Sequence, residues 1–257
     1  MEIGVPQKDL GIQLKKTERP IVQGEWSFDL ILVDKQESVV DAWRKHFEGL
    51  PSVQFVHNRF EMLTDFDCMV SAANSFGLMD GGVDAAITRF FGDQLQKRVQ
   101  KHIVEEYGGQ QHTGTSFIID TLSDNLKNEK EAENCRRHPY LSHTPTMRCP
   151  MNIVQTDNVY RAMHSMLMAV KNHNKKDPQQ KIKSVACPGL GTFYGEMPHE
   201  YAAKMMAMAY KHFLTAPSEL DWNYATDIQE EIYEAQEEEK ARRAEEQKLN
   251  KDKYKIR

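Results

Sequence analysis

The sequence predicts an α/β protein in which helices cover both faces of a mostly parallel sheet. Short apolar runs alternate along the chain with longer stretches whose apolar residues repeat at helical spacing. One of the runs, 68–72, is short and apolar enough to be a strand buried on both faces. With 257 residues and 40% hydrophobic content, the chain can bury a core of ordinary size. These observations together predict a three-layer α/β/α sandwich with a mixed, mostly parallel central sheet.

In the first half of the chain, strands are predicted at 28–33, 53–56 and 68–72. Between the first two, Val40, Trp43 and Phe47 form an apolar stripe at helical spacing. Gly49-Leu-Pro51 ends this helix, because glycine and proline both interrupt helical structure. From Val83 to Ile103 the apolar positions keep the helical period, which predicts one long helix directly after Gly81-Gly82.

The second half continues the alternation. Strand candidates lie at 115–121, 140–147 and 182–187. Helical stripes cover 159–170 and 199–213. The polar stretch 123–137 has no apolar period and predicts a surface loop.

The chain divides into an N-terminal arm (1–25), one folded domain (26–216) and a charged C-terminal tail (217–257). The tail carries twelve acidic and eight basic residues, with Glu238 and Arg242 at the four-residue spacing that supports a solvated helix. Its apolar residues are too sparse for a heptad seam, which favours a free or lightly docked helical tail over a coiled coil. Such a tail is available for contacts with another protein.

Composition also excludes several classes of protein. Of the net charge of −5, the tail holds −4, so the folded domain is nearly neutral and broad nucleic-acid binding is not supported. No apolar run approaches the roughly 20 residues of a membrane span, and the first residues lack the pattern of a signal peptide. An intracellular protein, cytoplasmic or nuclear, is therefore expected. The four cysteines show no metal-binding spacing, and neither a metal nor a cofactor is expected.

Two segments share an unusual form, an apolar run ending in a glycine turn that opens an amphipathic stretch. The first runs from Cys68 to Asp84 and contains Gly81-Gly82; the second, Ser184 to Pro198, contains Pro188-Gly-Leu-Gly-Thr192. Glycine lets backbone N–H groups approach an anion, and a helix N-terminus adds free donors and a positive dipole end. If both turns lie at the carboxyl ends of strands in one sheet, they form two lips of a single crevice. The expected ligand is one that carries phosphate.

On these motifs, the chain resembles the macrodomain family, whose members bind ADP-ribose. Ala72-Ala73-Asn74 followed by Gly81-Gly82-Val83-Asp84 resembles the first signature of the family, and Pro188 to Gly195 resembles its phosphate loop. The likeness covers about 28–214. Three positions depart from the common pattern: Ser71 where many members have asparagine, Asp80 where many have a further glycine, and Phe193 where a glycine is usual.

The resemblance implies a set of ligand-binding residues. Glu61 is the nearest equivalent of the aspartate that accepts the adenine amino group, although an ordinary exposed carboxylate is an equally good interpretation. Phe193 or Tyr194 would present an aromatic face to the distal ribose. The full set implied is Glu61, Ala72, Ala73, Asn74, Asp80, Gly81, Gly82, Val83, Pro188, Gly189, Leu190, Gly191, Thr192, Phe193, Tyr194 and Gly195.

Asn74 and Asp84 are the catalytic candidates that the resemblance implies. In hydrolysing members, the matching asparagine positions the distal ribose and the matching aspartate activates a water that attacks the anomeric carbon. The first expectation is therefore a hydrolase that releases mono-ADP-ribose from a protein acceptor. Two alternatives stay open: a reader module that binds ADP-ribose without catalysis, and a hydrolase of a metabolite such as ADP-ribose 1″-phosphate or an O-acetyl ester.

Overall fold

A computed structural model describes residues 28–123 and 126–255 of the chain. The predicted N-terminal arm, 1–25, lies outside the described residues. The described part folds as the predicted three-layer α/β/α sandwich around a six-stranded sheet.

The strands are β1 (Asp29–Asp34), β2 (Val53–His57), β3 (Cys68–Ser71), β4 (Phe117–Asp120), β5 (Tyr140–His143) and β6 (Ser184–Cys187). They lie in the order β2-β1-β6-β3-β5-β4, and every neighbouring pair is parallel except β4 with β5. The mixed, mostly parallel sheet is therefore confirmed. Because five strands run in the same direction, the loops that follow them meet at one edge of the sheet.

Helices α1 (Glu37–His46), α5 (Asn158–Lys176) and α6 (His199–Leu214) pack on one face of the sheet. Helices α2 (Gly82–Phe91), α3 (Gln94–Tyr107) and α4 (Glu129–Arg137) cover the other face. The largest side chains of the first layer, Trp43 and Phe47, are almost completely buried, as the helical stripe predicts. Cys68 and Cys187 are buried in the two central strands as free thiols.

Two predictions made from the sequence are wrong. The long helix predicted from Val83 to Ile103 is divided, because Gly92 has φ +95°, which no helix residue adopts. The predicted surface loop 123–137 contains α4. There the Asn128 side chain accepts from the Glu131 amide at 3.0 Å and its amide group donates to the Glu131 carboxylate at 3.0 Å. This reciprocal cap starts a helix despite the polar sequence.

The tail forms α7 (Trp222–Lys255), which is docked against α6. Ile232 and Ala235 are buried in the same core as α5 and α6. A polar link adds to this contact, since Tyr160 of α5 and Glu231 of α7 hydrogen-bond to opposite ring nitrogens of His212 at 3.0 and 3.2 Å. Of the alternatives left open by the sequence, the structure therefore has the docked helix.

Replacing Ile232 by alanine should lower the free energy of unfolding by about 2 kcal/mol, because the change leaves a cavity between α7 and α6. The matched control is Tyr233→Ala, one position further along the same helix and more than half exposed, which should change stability by less than about 0.5 kcal/mol. Urea denaturation followed by circular dichroism measures both. Equal midpoints for Ile232→Ala and the unaltered protein would contradict the docking.

Candidate functional site

Loops that follow five of the six strands surround one crevice of about 430 Å³ at the carboxyl edge of the sheet. The loops after β6 and β3 form its middle, and both contain the glycine turns singled out in the sequence. The loops after β1 and β2 form one end, and the loop after β5 forms the other. The two glycine turns therefore face each other across a single groove.

The first lip is the turn between β3 and α2. Gly82 opens the helix with φ +56°, a conformation that residues with a Cβ rarely adopt. No side chain caps this N-terminus, and intrahelical bonding starts with the Ala85 amide donating to the Gly81 carbonyl. The N–H groups of 82–84 therefore have no acceptor within the helix and carry its positive dipole end.

The Asn74 side chain holds the loop of the first lip in shape. Its Oδ1 accepts from the amides of Phe76 and Leu78 at 3.0 and 3.3 Å, and its Nδ2 donates to the Leu78 carbonyl at 2.7 Å. Asn74 also pairs with Met147 in an isolated parallel bridge. The residue lines the crevice, but in this structure its polar atoms serve the loop.

The second lip folds back on itself between β6 and α6. Thr192 Oγ1 donates to the Gly189 carbonyl at 3.3 Å, and the Met197 amide donates to the Gly191 carbonyl at 3.1 Å. Asp34, at the end of β1, anchors the turn by accepting from the Gly189 amide at 3.3 Å. The backbone path therefore depends on a carboxylate from a neighbouring strand as well as on its own glycines.

Aromatic side chains of the second lip reach the first. A Cβ added to Gly81 would lie 3.0 Å from the Tyr194 hydroxyl, and one added to Gly82 would lie 3.7 Å from the Phe193 ring. Phe193 and Tyr194 contact each other edge to face, with ring centroids 4.7 Å apart. Phe193 is nevertheless 66% exposed, so the pair leaves an aromatic surface open at the mouth of the crevice.

Asp84 is the most unusual group in the crevice. It lies in the first turn of α2, is only 6% exposed, and accepts a hydrogen bond from the Ser71 hydroxyl at 2.7 Å. Burial raises its pKa from 3.8 to about 7; the Ser71 hydrogen bond opposes this rise, and the charge of Asp80 adds to it. Near pH 7 the protonated and the charged forms of this carboxyl group are therefore both present.

Most residues implied by the resemblance line this crevice. Those that do are Glu61, Ala72, Ala73, Asn74, Asp80, Gly81, Gly82, Val83, Asp84, Pro188, Gly189, Gly191, Thr192, Phe193 and Tyr194. Two do not. Leu190 is buried in the core beneath the second lip, and Gly195 is buried behind it, where its carbonyl accepts from the Ile153 amide at 3.0 Å.

The sequence interpretation missed three cations that line the crevice. Lys35 follows β1, Arg59 follows β2, and Arg89 lies in the last turn of α2. Phe90, the neighbour of Arg89, contacts Phe60, which brings this turn of α2 to the loop that carries Arg59. Within 28–123 and 126–255, none of the three forms a salt bridge. They add three positive charges to the walls of the crevice.

The described residues form neither a metal-binding cluster nor a helix fit to cross a membrane. No group of three or more histidine, cysteine, aspartate or glutamate side chains is placed to hold a metal ion. In the same part of the chain, no helix combines the length and apolar character of a membrane span.

Comparison with known proteins gives the following. A family model described as the Macro domain matches residues 70–206. An uncharacterized protein of Aquifex aeolicus (strain VF5) is 29% identical over 171 residues, which are 66% of this chain and 87% of that protein. The solved Oceanobacillus iheyensis macrodomain with ADP is 20% identical with a TM-score of 0.48, over 70% of this chain and 90% of that chain. The macrodomain of Mycobacterium tuberculosis DarG is 17% identical with a TM-score of 0.44, over 59% of this chain and 85% of that chain.

The matched segment contains the main parts of the site. It begins on β3, includes both glycine lips and Asp84, and ends on α6. It also spans more than half of the 257 residues. The chain belongs to the Macro domain family.

Proposed function

We propose that this protein binds ADP-ribose in the crevice and hydrolyses mono-ADP-ribose from a protein acceptor. One observation carries the proposal: a buried carboxyl group, Asp84, lines the crevice at the helix end that offers free N–H donors. Membership of the family supports the ligand, since the ADP-ribose-binding function of macrodomains rests on the same two loops.

Each part of ADP-ribose has a matching region. The diphosphate lies between the lips, where the N–H groups of 82–84 and the backbone of 189–193 surround it. The adenosine extends over the ends of β1 and β2, where Glu61 is available to the adenine and Lys35 and Arg59 add positive charge. The distal ribose lies near Asp84 and the aromatic face of Phe193 or Tyr194.

The reaction requires a base beside the anomeric carbon. A water attacks this carbon, its proton passes to the Asp84 carboxylate, and the bond from the carbon to the acceptor oxygen breaks. The electron pair of that bond leaves with the acceptor, which departs as a carboxylate. Before it takes the proton, the charged Asp84 carboxylate also stabilises the positive charge that develops on the ribose.

A reader module is the second candidate, and one observation favours it. The Asn74 side chain, which would position the distal ribose, is hydrogen-bonded within its own loop. The two candidates share a ligand and differ in turnover.

The ligand is tested by calorimetry. ADP-ribose should bind at least about tenfold more tightly than AMP, because AMP lacks the second phosphate and the distal ribose that fit between the lips and beyond them; tenfold corresponds to about 1.4 kcal/mol. NAD serves as a ligand whose distal ribose is blocked. Ile232→Ala is the control variant and should keep the full affinity, since none of the described residues of α7 lines the crevice. An absence of binding heat at millimolar ADP-ribose would reject both candidates.

A further inference from the structure

The end of β3 and the start of α2 are joined by one buried hydrogen bond. Ser71 is the last residue of β3 and is completely buried, and its hydroxyl donates to Asp84 Oδ1 at 2.7 Å. A hydroxyl donating to a carboxylate makes a stronger bond than one between two neutral groups. Many macrodomains have asparagine at this position, so the hydroxyl is a feature of this chain.

The two carboxyl oxygens of Asp84 have different surroundings. Ser71 holds Oδ1, whereas no donor among the described residues reaches Oδ2. Among the described residues, the buried side-chain polar atoms without a hydrogen-bond partner are His143 Nε2 and Tyr201 Oη. Oδ2 of Asp84 has no partner and is not one of them, so it is open to solvent. Because Asp84 lines the crevice, Oδ2 is the oxygen accessible from it.

A like charge acts on Asp84 from the first lip. Asp80 lines the crevice four residues before Asp84, and its carboxylate disfavours a second negative charge there. Other charged residues lie on the walls formed by β1, β2 and the end of α2; they are Asp34, Lys35, Arg59, Glu61 and Arg89. The influences on Asp84 are thus burial and Asp80, which favour its protonated form, and Ser71, which favours its charged form.

We propose that Ser71 is a positioning residue that holds Oδ1 of Asp84, so that Oδ2 faces the crevice as the proton acceptor, and that Asp80 opposes it by charge. This inference rests on the proposed hydrolysis for its consequence, because only a reaction that uses Asp84 as a base depends on its proton. The hydrogen bond itself is independent of turnover. Ser71 and Asp80 therefore shift the pH range of activity in opposite directions.

Two measurements test the inference on the whole 257-residue chain. The first is the titration of the Asp84 carboxyl carbon by NMR without ligand, with Asp84→Asn to assign the signal. The second is the pH dependence of kcat and KM for release of ADP-ribose from an auto-modified ADP-ribosyltransferase. The variants are Ser71→Ala, which removes the donor, Ser71→Thr, which keeps a hydroxyl, and Asp80→Asn, which removes the like charge.

Ser71→Ala should move the midpoint of the Asp84 titration to higher pH. A move of about one pH unit would lower kcat at pH 6 by roughly tenfold, because below the midpoint the charged fraction of Asp84 changes tenfold for each pH unit. Its KM should stay close to that of the unaltered protein. Asp80→Asn should move the titration to lower pH, and Ser71→Thr should restore the original midpoint. If the role of Ser71 were merely structural, Ser71→Ala would lower stability without moving the NMR titration or the pH dependence of kcat.

The outcomes separate this inference from the proposed function. If Ser71→Ala leaves the NMR midpoint unchanged, the positioning role is wrong whether or not the protein is a hydrolase. If neither the unaltered protein nor any variant releases ADP-ribose, hydrolysis is rejected, and the NMR titration alone decides the role of Ser71. Ser71→Cys, close in size to serine and a weak donor, replaces Ser71→Ala if the alanine variant does not fold.

Discussion

Replacing Asp84 by asparagine should lower the release of ADP-ribose from a modified protein by roughly 10²- to 10⁴-fold, the range that a positioned general base contributes. Asparagine has the same shape as aspartate and its Oδ1 can still accept from the Ser71 hydroxyl, so the loop and helix should keep their places. It cannot take a proton from water. Binding of ADP-ribose should change little, because the lips and the cations of the crevice remain.

The measurement is single-turnover release of label from an auto-modified ADP-ribosyltransferase, with calorimetry on the same samples. Asp41→Asn is the matched control, since this aspartate is exposed on α1 and pairs with the exposed Arg44 at 2.7 Å. It should release label at the unaltered rate. Equal rates for Asp84→Asn and Asp41→Asn would remove Asp84 from the mechanism and favour the reader module.

The same variant should gain stability at alkaline pH. Asp84 has a pKa of about 7 in the folded chain, against 3.8 as its ordinary value, so the folded state holds its proton more tightly than the unfolded state does. Stability of the unaltered protein therefore falls as pH rises from about 4 to about 7 and then levels off as far as this group is concerned. Asp84→Asn lacks this loss, which is typical of a group retained for activity rather than for stability.

Local patterns predicted most of the elements, and the failures have identifiable causes. The division of α2 from α3 was missed because Gly92 ends the helix without interrupting the periodic spacing of the apolar residues. Phe91 and Leu95, on either side of it, are both buried on the same face. Helix α4 was missed because Cys135 is its only buried residue, which leaves no stripe to detect. The Asn128 and Glu131 spacing was the available signal, since that pair forms the cap.

The site was predictable where it is local in sequence and not where it is assembled from distant strands. The glycine turns are recognisable in the sequence because each is formed by several consecutive residues. Lys35, Arg59 and Arg89 are single cations that only the order of the strands brings to one crevice. The anchor between Asp34 and the Gly189 amide joins residues 155 positions apart, so no local pattern could indicate it.

Gly195 should be the least replaceable glycine of the second lip. Its carbonyl accepts from the Ile153 amide, and a Cβ added to it would lie 2.4 Å from the Gly191 carbonyl oxygen and 2.9 Å from Ile153. A backbone oxygen cannot move aside alone, because the Gly191 carbonyl also accepts from the Met197 amide at 3.1 Å. Gly195→Ala must therefore displace the whole turn that carries Gly191 and Thr192.

We expect Gly195→Ala to lower the free energy of unfolding by about 3 kcal/mol, the upper part of the range for overpacked sites, and to weaken ADP-ribose binding by at least about tenfold, or 1.4 kcal/mol. Gly49→Ala is the control: at φ +76° it has no atom within 4 Å of the new Cβ and is not among the residues that line the crevice, so only backbone strain of about 1 kcal/mol applies. Urea denaturation and calorimetry measure both variants. The loss of affinity in Gly195→Ala is expected to come from the displaced lip and not from lower stability. Gly49→Ala should therefore bind ADP-ribose normally. If Gly195→Ala also bound normally, the second lip would not hold the diphosphate.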